Sequence, residues 1–145
     1  MKKLMLLTFL TTVTIATVHA AEVNSLLSDK GAQAEFKKIS ANKALPSWTK
    51  YEATSSPTKT VTIAGKQYSV FNACKPHNCF AEQVAVMYSP SSKAISSVYS
   101  KFDDMKGIEQ LTWMTNQPEI SIEQKTVLLA SITGALENYP KKFNF

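Results

Sequence analysis

Residues 67–89 contain the stretch that decides the fold, QYSVFNACKPHNCFAEQVAVMYS. Its first part (67–73) and its last part (83–89) are rich in β-branched and aromatic residues, which is typical of strands. The hexapeptide between them holds both cysteines of the chain and one of its two histidines, His77. This pattern predicts two strands joined by a short loop that presents His77 at its tip.

Further strand patterns lie on both sides of this stretch. Residues 60–63 alternate polar and apolar side chains, and Gly65 supplies a turn towards the strand that follows, which predicts a β-hairpin. Residues 84–88 are apolar on both faces, as expected for the central strand of a sheet. Two more strands are predicted, at 94–102 and at 111–113.

Two helices are predicted, one before the strands and one after them. The first lies within 29–41, where apolar side chains recur at spacings of four and three: Ala32, Phe36 and Ile39. The second begins at Ser121, which fits a capping box with Gln124, and ends at Pro140. Gly134 lies inside this predicted helix, where glycine costs about 1 kcal/mol relative to alanine.

This order of elements predicts an α+β domain. Its centre is a mostly antiparallel β-sheet with flanking helices, which we expect on one face of the sheet, and with a disulfide-closed protruding loop. Residues 51–59 are rich in Thr, Ser and Lys and contain a proline, so we expect a surface loop there.

The N-terminus has the pattern of a cleaved secretory signal. Two lysines precede an uncharged, apolar and Thr-rich run at 4–18, and Val18 and Ala20 occupy the positions that signal peptidase recognises. The run is shorter than the roughly 20 residues of a membrane span. We therefore expect residues 1–20 to be removed and 21–145 to form one exported domain, with no membrane segment after cleavage.

Composition argues against a nucleic-acid partner. The formal net charge is +5, and it falls to about +3 when the two lysines of the signal are removed. The chain contains no arginine, the residue that most often reads bases through paired hydrogen bonds, and its lysines are scattered. The mild positive charge indicates a solvated surface.

Cys74 and Cys79 are separated by four residues. Exported proteins meet oxidising conditions, so two cysteines there usually pair. A disulfide across so short a loop is worth about 2 kcal/mol in the chain-entropy model. It therefore fits the preorganisation of a loop better than the stapling of a whole fold, although a plain structural disulfide remains the alternative.

Three kinds of chemistry compete with a binding role for the hexapeptide. Zinc could use Cys74, His77 and Cys79, but the spacing is unusual, and export favours oxidised sulfurs. A redox site would favour Cys-x-x-Cys, and a Cys-His hydrolase needs a geometry that adjacent residues in a tight loop rarely reach. We therefore expect no metal, no cofactor and no enzymatic activity.

His77 fits a binding residue. Pro76 fixes its own φ and restricts Lys75, so the loop is stiff on its leading side and loses little entropy on insertion into a cleft. An imidazole can donate or accept hydrogen bonds, and Lys75 adds a positive charge. Together with Asn78, these side chains suit a cleft that is lined with carboxylates.

The sequence resembles the Ivy family, the inhibitors of vertebrate (c-type) lysozyme from Gram-negative bacteria. Its hexapeptide is similar to the Cys-Lys-Pro-His-Asp-Cys loop of that family. The resemblance covers nearly all of residues 21–145 and extends to other segments: Leu45-Pro46-Ser47-Trp48, Val84-Ala85-Val86-Met87, Leu111-Thr112-Trp113, Lys125-Thr126-Val127-Leu128, Thr133-Gly134, Leu136-Glu137-Asn138 and Phe143-Asn144.

The resemblance implies a periplasmic protein with a central antiparallel sheet and flanking helices. It also implies that the closed loop enters the lysozyme cleft, where His77 would hydrogen-bond the catalytic acid and the catalytic aspartate. Such a cleft holds one carboxyl of raised pKa and one ionised carboxylate, so a histidine between them can satisfy both.

One departure from the family concerns Asn78, where the family often has aspartate. Asparagine keeps the size and removes a negative charge. The alternative to a lysozyme inhibitor is an exported binding module of the same fold whose loop has a different target. The sequence leaves the choice between a monomer and a homodimer open.

Overall fold

The computed structural model of the chain describes residues 25–51 and 53–145. Its helices are α1 (Lys30–Ser40), α2 (Trp48–Tyr51), α3 (Ile122–Ile132) and α4 (Ala135–Asn138), followed by a 3-10 helix at Pro140–Phe143. Its strands are β1 (Thr54–Ser55), β2 (Lys59–Ile63), β3 (Lys66–Cys74), β4 (Glu82–Ser89), β5 (Ala94–Asp103) and β6 (Ile108–Thr115). The predicted signal peptide lies outside the described residues.

The strands form one antiparallel sheet in the order β1-β3-β4-β5-β6. β2 pairs with the first part of β3 and forms with it the predicted hairpin around Gly65. β1 pairs with the last two residues of β3 along the same edge. The predicted α+β fold with an antiparallel sheet is confirmed. β4 is the central strand that its apolar sequence predicts, with its last six residues buried.

The helices pack on both faces of the sheet, so the prediction that they cover one face is wrong. On one face, Phe36 of α1 joins the same core cluster as Val86 of β4. On the other face, Leu128 of α3 joins the cluster that contains Met87, the next residue of β4. Successive residues of a strand point to opposite faces, and β4 is apolar on both, so each face needs its own apolar cover.

The C-terminal helical segment is two helices and not one. Ser121 caps α3, and its predicted capping box with Gln124 is present. The helix ends at Ile132, because Gly134 adopts the left-handed conformation with a φ of 78°. Glycine reaches this conformation without steric cost, and it redirects the chain into α4. The single helix predicted from Ser121 to Pro140 is therefore interrupted at Gly134.

The prediction of a surface loop at 51–59 is wrong in part. Thr54 and Ser55 form β1, which pairs with Cys74 and Ala73 at the end of β3. β2 stops pairing at Val70, so without β1 the end of β3 would be an unpaired strand edge. β1 thus holds the strand end that carries the first cysteine.

The topology brings two connections to the same end of the sheet. β3 ends at Cys74 and β4 begins at Glu82, and their pairing reaches Cys74–Gln83. β5 ends at Asp103, which pairs with Ile108 at the start of β6. Because neighbouring strands are antiparallel, the β3–β4 loop and the β5–β6 turn project from this one end. No helix within the described ranges has the length and apolarity that crossing a membrane requires.

Candidate functional site

The β3–β4 loop is closed by a disulfide between Cys74 and Cys79, as predicted, with their Cα atoms 4.7 Å apart. Cys74 is buried at the end of β3, whereas Cys79 lies on the exposed return of the loop. Both sulfurs are therefore in a disulfide, and no thiolate remains to bind zinc. Among the residues that the structure describes, no group of His, Cys, Asp and Glu side chains is arranged to hold a metal ion.

The tip of the loop is a β-turn over residues 75–78. The N–H of Asn78 donates to the carbonyl oxygen of Lys75 at 3.0 Å. Pro76 occupies the first central position, and His77 follows with a φ of 62°. Proline followed by a positive φ is typical of a type II turn, which usually has glycine or asparagine in the place of His77. The left-handed backbone at a non-glycine residue costs about 1 kcal/mol or more.

The imidazole of His77 is exposed at this tip. It has no hydrogen bond, ion pair or ring contact within the described part of the chain. Its donor and acceptor nitrogens are therefore available to another molecule. Asn78 is exposed beside it, and Pro76 is half-buried.

Lys75 is paired inside the protein. Its ammonium lies 2.7 Å from Oε1 of Glu82, and its backbone N–H donates to the carbonyl oxygen of Glu82 at 3.0 Å. The Lys75 side chain is 42% exposed and the Glu82 side chain only 12%. The two residues thus join the first residue of the loop after β3 to the first residue of β4.

The second carboxylate oxygen of Glu82 connects the loop to the core. Nε1 of Trp48, at the start of α2, donates to Oε2 at 3.1 Å, and the hydroxyl of Tyr99 in β5 donates to the same oxygen at 2.8 Å. Both aromatic side chains are buried, and their ring centroids lie 6.3 Å apart. One carboxylate therefore receives hydrogen bonds from the loop, from α2 and from the sheet.

Ionisation at this network follows from its contacts. Burial alone would raise the pKa of the Glu82 carboxyl, but hydrogen bonds from Lys75, Trp48 and Tyr99 outweigh it and hold that pKa below the usual value. Burial, with the hydrogen bond to Glu82, raises the pKa of Tyr99 well above its usual value. Near neutral pH, Glu82 stays charged and Tyr99 stays protonated.

A depression of about 590 Å³ lies beside the network and is lined in part by Lys75, Glu82, Tyr99 and Lys101. A general acid or base works best when its pKa is close to the operating pH. Here the pKa of the Glu82 carboxyl is lowered and the pKa of the Tyr99 phenol is raised, so both move away from neutral pH. The carboxylate accepts, and the phenol donates, the hydrogen bonds described above. These hydrogen bonds fix the position of the Glu82 carboxylate at the base of the loop.

The structure brings all the predicted loop residues together, namely Cys74, Lys75, Pro76, His77, Asn78 and Cys79. It adds Glu82, which the sequence analysis missed. The signal was present, because Lys75 follows the first cysteine directly and Glu82, of opposite charge, lies three residues after the second. Opposed residues across a hairpin often pair in this way.

These features define a class of protein: an α+β domain that presents a cross-linked, braced loop with an unpartnered imidazole at its tip. The family model described as "Inhibitor of vertebrate lysozyme (Ivy)" matches residues 31–119. The chain therefore belongs to the Ivy family.

Individual relatives agree with this assignment. The chain is 38% identical over 123 residues to the protein named "Inhibitor of vertebrate lysozyme" in Escherichia coli K12, which covers 85% of this chain and 78% of the relative. The protein of the same name in Escherichia coli O157:H7 matches to the same extent. An uncharacterized protein of Yersinia pestis is 35% identical over 60 residues, covering 41% of this chain and 39% of the relative.

Proposed function

We propose that this protein is a periplasmic inhibitor of c-type lysozyme that inserts the Cys74–Cys79 loop into the active-site cleft of the enzyme. The observation that carries the proposal is the exposed, unpartnered imidazole of His77 on a loop that is closed by a disulfide and braced by Glu82. Membership of the Ivy family and the names of the Escherichia coli relatives support lysozyme as the partner.

The lysozyme cleft supplies groups that match this loop. It contains a catalytic acid in a hydrophobic pocket and an ionised carboxylate close by. His77 would lie between them, donating to the carboxylate and bonding the acid, so that no sugar could occupy the same place. Pro76 and Asn78 would line the contact on either side. Lys75 would act mainly through Glu82, since its ammonium is already paired.

The braced loop explains how a small tip could bind well. A loop that becomes ordered only on binding loses part of its interaction energy to conformational entropy. Here the type II turn, the disulfide and the Lys75–Glu82 pair restrict the loop before it meets a partner. Binding of this kind involves no turnover, so we propose an inhibitor and not an enzyme.

The sequence pattern at 1–20 and the disulfide support the proposed periplasmic location, because disulfides persist in oxidising compartments such as the periplasm. We expect export to remove residues 1–20 and leave a domain that begins at Ala21. N-terminal sequencing of protein recovered from the periplasm should find Ala21 or a residue within one or two positions of it. Recovery of a chain that still begins with Met1 would contradict the proposed export.

The function is tested by adding the mature protein to a c-type lysozyme acting on cell-wall substrate. We expect lysis to fall with increasing protein, and the effect to be lost in His77→Gly, which removes the imidazole and suits the left-handed backbone. Absence of both inhibition and a complex would favour a binding module of the same fold with another target. Full inhibition by His77→Gly would show that another surface blocks the enzyme.

A further inference from the structure

A second side chain stands beside the loop in an unusual position. Phe80 follows Cys79 directly, and its side chain is 74% exposed. Single exposed apolar residues are common, but an exposed phenylalanine next to a proposed contact surface adds large apolar area to that surface. Its role is not explained by the core, because it belongs to neither core cluster.

The ring of Phe80 is held in place. It packs edge-on against Phe102 of β5, with ring centroids 5.3 Å apart and an angle of 77° between the ring planes. The N–H of Phe102 donates to the carbonyl oxygen of Ala81 at 2.8 Å, so the backbone after Phe80 is tied to β5. Edge-to-face packing is a favourable arrangement of aromatic rings. Phe80 is therefore exposed and also oriented.

Other apolar side chains are exposed at the same end of the sheet. Met105, in the β5–β6 turn, is 94% exposed, and Ile108, the first residue of β6, is 51% exposed. The β3–β4 loop and this turn project from one end, as the strand pairing requires. The loop end thus combines a polar tip with an apolar flank. An apolar patch beside polar groups is typical of protein interaction sites.

We infer that Phe80, oriented by Phe102, is a second anchor for the same partner and packs against the apolar wall of the lysozyme cleft while His77 occupies its centre. This inference rests on the proposed function. The chemistry fits, because the catalytic acid of lysozyme lies in a hydrophobic pocket beside an aromatic side chain. An aromatic side chain that is already oriented loses little entropy when it is buried, which is the character of a binding hot spot.

The test compares Phe80→Ala with Phe145→Ala in binding kinetics against a c-type lysozyme. Phe145 is the control, because it is also an exposed phenylalanine (51%) and lies beside the Ala64–Gly65 turn, at the opposite end of β3 from Cys74. We expect Phe80→Ala to weaken binding about 10- to 30-fold, mainly through faster dissociation. Phe145→Ala should bind like the wild type.

The outcomes separate this inference from the proposed function. If the wild type binds lysozyme and Phe80→Ala binds equally well, Phe80 is not an anchor and the loop mechanism stands. An equal loss in Phe80→Ala and Phe145→Ala would also overturn the inference, because the effect would not be local. A wild type that binds no c-type lysozyme would overturn the proposed function and this inference together. Thermal melts of both variants should match the wild type, since neither ring lies in a core cluster.

Discussion

Lys75 and Glu82 face each other across the base of the loop, joined by a 2.7 Å ion pair and by a 3.0 Å backbone hydrogen bond. The pairing of β3 with β4 thus continues one step beyond Cys74 and Gln83, into the loop itself. The positive charge of Lys75 is balanced inside the protein. The tip that remains for a partner is formed by His77 and Asn78.

Glu82→Gln should destabilise the protein by about 1–2 kcal/mol, which urea unfolding would measure. The amide oxygen can still accept from Trp48 and Tyr99, but the amide nitrogen would then face the ammonium of Lys75, and two donors cannot bond each other. Glu119→Gln is the control, because Glu119 is exposed, and its change should stay within about 0.5 kcal/mol. Equal effects of the two substitutions would show that the network contributes nothing.

The contribution of Glu82 should depend on pH with a definite sign. Its pKa is depressed in the folded protein, so the unfolded chain takes up a proton first as pH falls. The stability difference between the wild type and Glu82→Gln should therefore be fully present near neutral pH. This difference in stability should become smaller as the pH falls below 4.5, the ordinary pKa of a glutamate carboxyl. Thermal melts from about pH 3 to pH 7 would measure it, and a difference that grows on acidification would contradict the network described here.

Replacing both Cys74 and Cys79 with serine should affect binding more than folding. The loop is short, so the disulfide contributes only about 2 kcal/mol to stability. The backbone at position 74 also stays in the sheet, where it pairs with β1 on one side and with β4 on the other. Lysozyme binding should weaken, because the loop would then be ordered during binding. Calorimetric titration and thermal melts of the double variant would compare the two effects, and unchanged affinity would show that the cross-link has no role in recognition.

His77→Gly should weaken lysozyme binding by about 2–4 kcal/mol, or roughly 30- to 1000-fold in Kd, because it leaves a buried carboxylate without its partner. Glycine suits the φ of 62° at this position, so the turn is kept without the steric cost that alanine would add. Lys75→Ala should cost less affinity. Calorimetry with the wild type and His77→Gly would measure the difference, and equal affinities would exclude His77 as the central contact.

The same titration carries a pH dependence. An ionised carboxylate favours the charged imidazole, so the affinity of the wild type should weaken as pH rises through the range of histidine titration, about pH 5 to 9. The affinity of His77→Gly should change less over that range. A parallel pH dependence in both proteins would assign the effect to lysozyme and not to His77.

Gly134→Ala should destabilise the protein by about 1 kcal/mol, because alanine is strained at a φ of 78° even though its Cβ would meet open space. A continuous helix through Gly134 predicts the opposite sign, since alanine is the better helix former by about 1 kcal/mol. Urea unfolding of this variant therefore distinguishes the two descriptions of the C-terminal segment.

The local parts of the fold follow from the sequence. The loop with its disulfide, the central strand and the capping box of α3 each depend on residues that are close to one another in the sequence. The parts that the sequence analysis missed depend on distant partners. Trp48 and Glu82 are 34 residues apart, and no local pattern joins them. The placement of α1 and α3 on opposite faces likewise depends on how the whole sheet is covered.

The positive φ at position 77 limits which amino acids can replace His77 at the tip of the loop. Most side chains are disfavoured at positive φ, and asparagine, aspartate, histidine and glycine are the residues best tolerated there. Among these four, histidine alone carries a ring that can be cationic near neutral pH. Libraries that aim to redirect this loop to other enzymes would therefore vary Asn78 and Phe80 freely, but would need to remodel the turn itself before position 77 could accept a bulky or branched side chain.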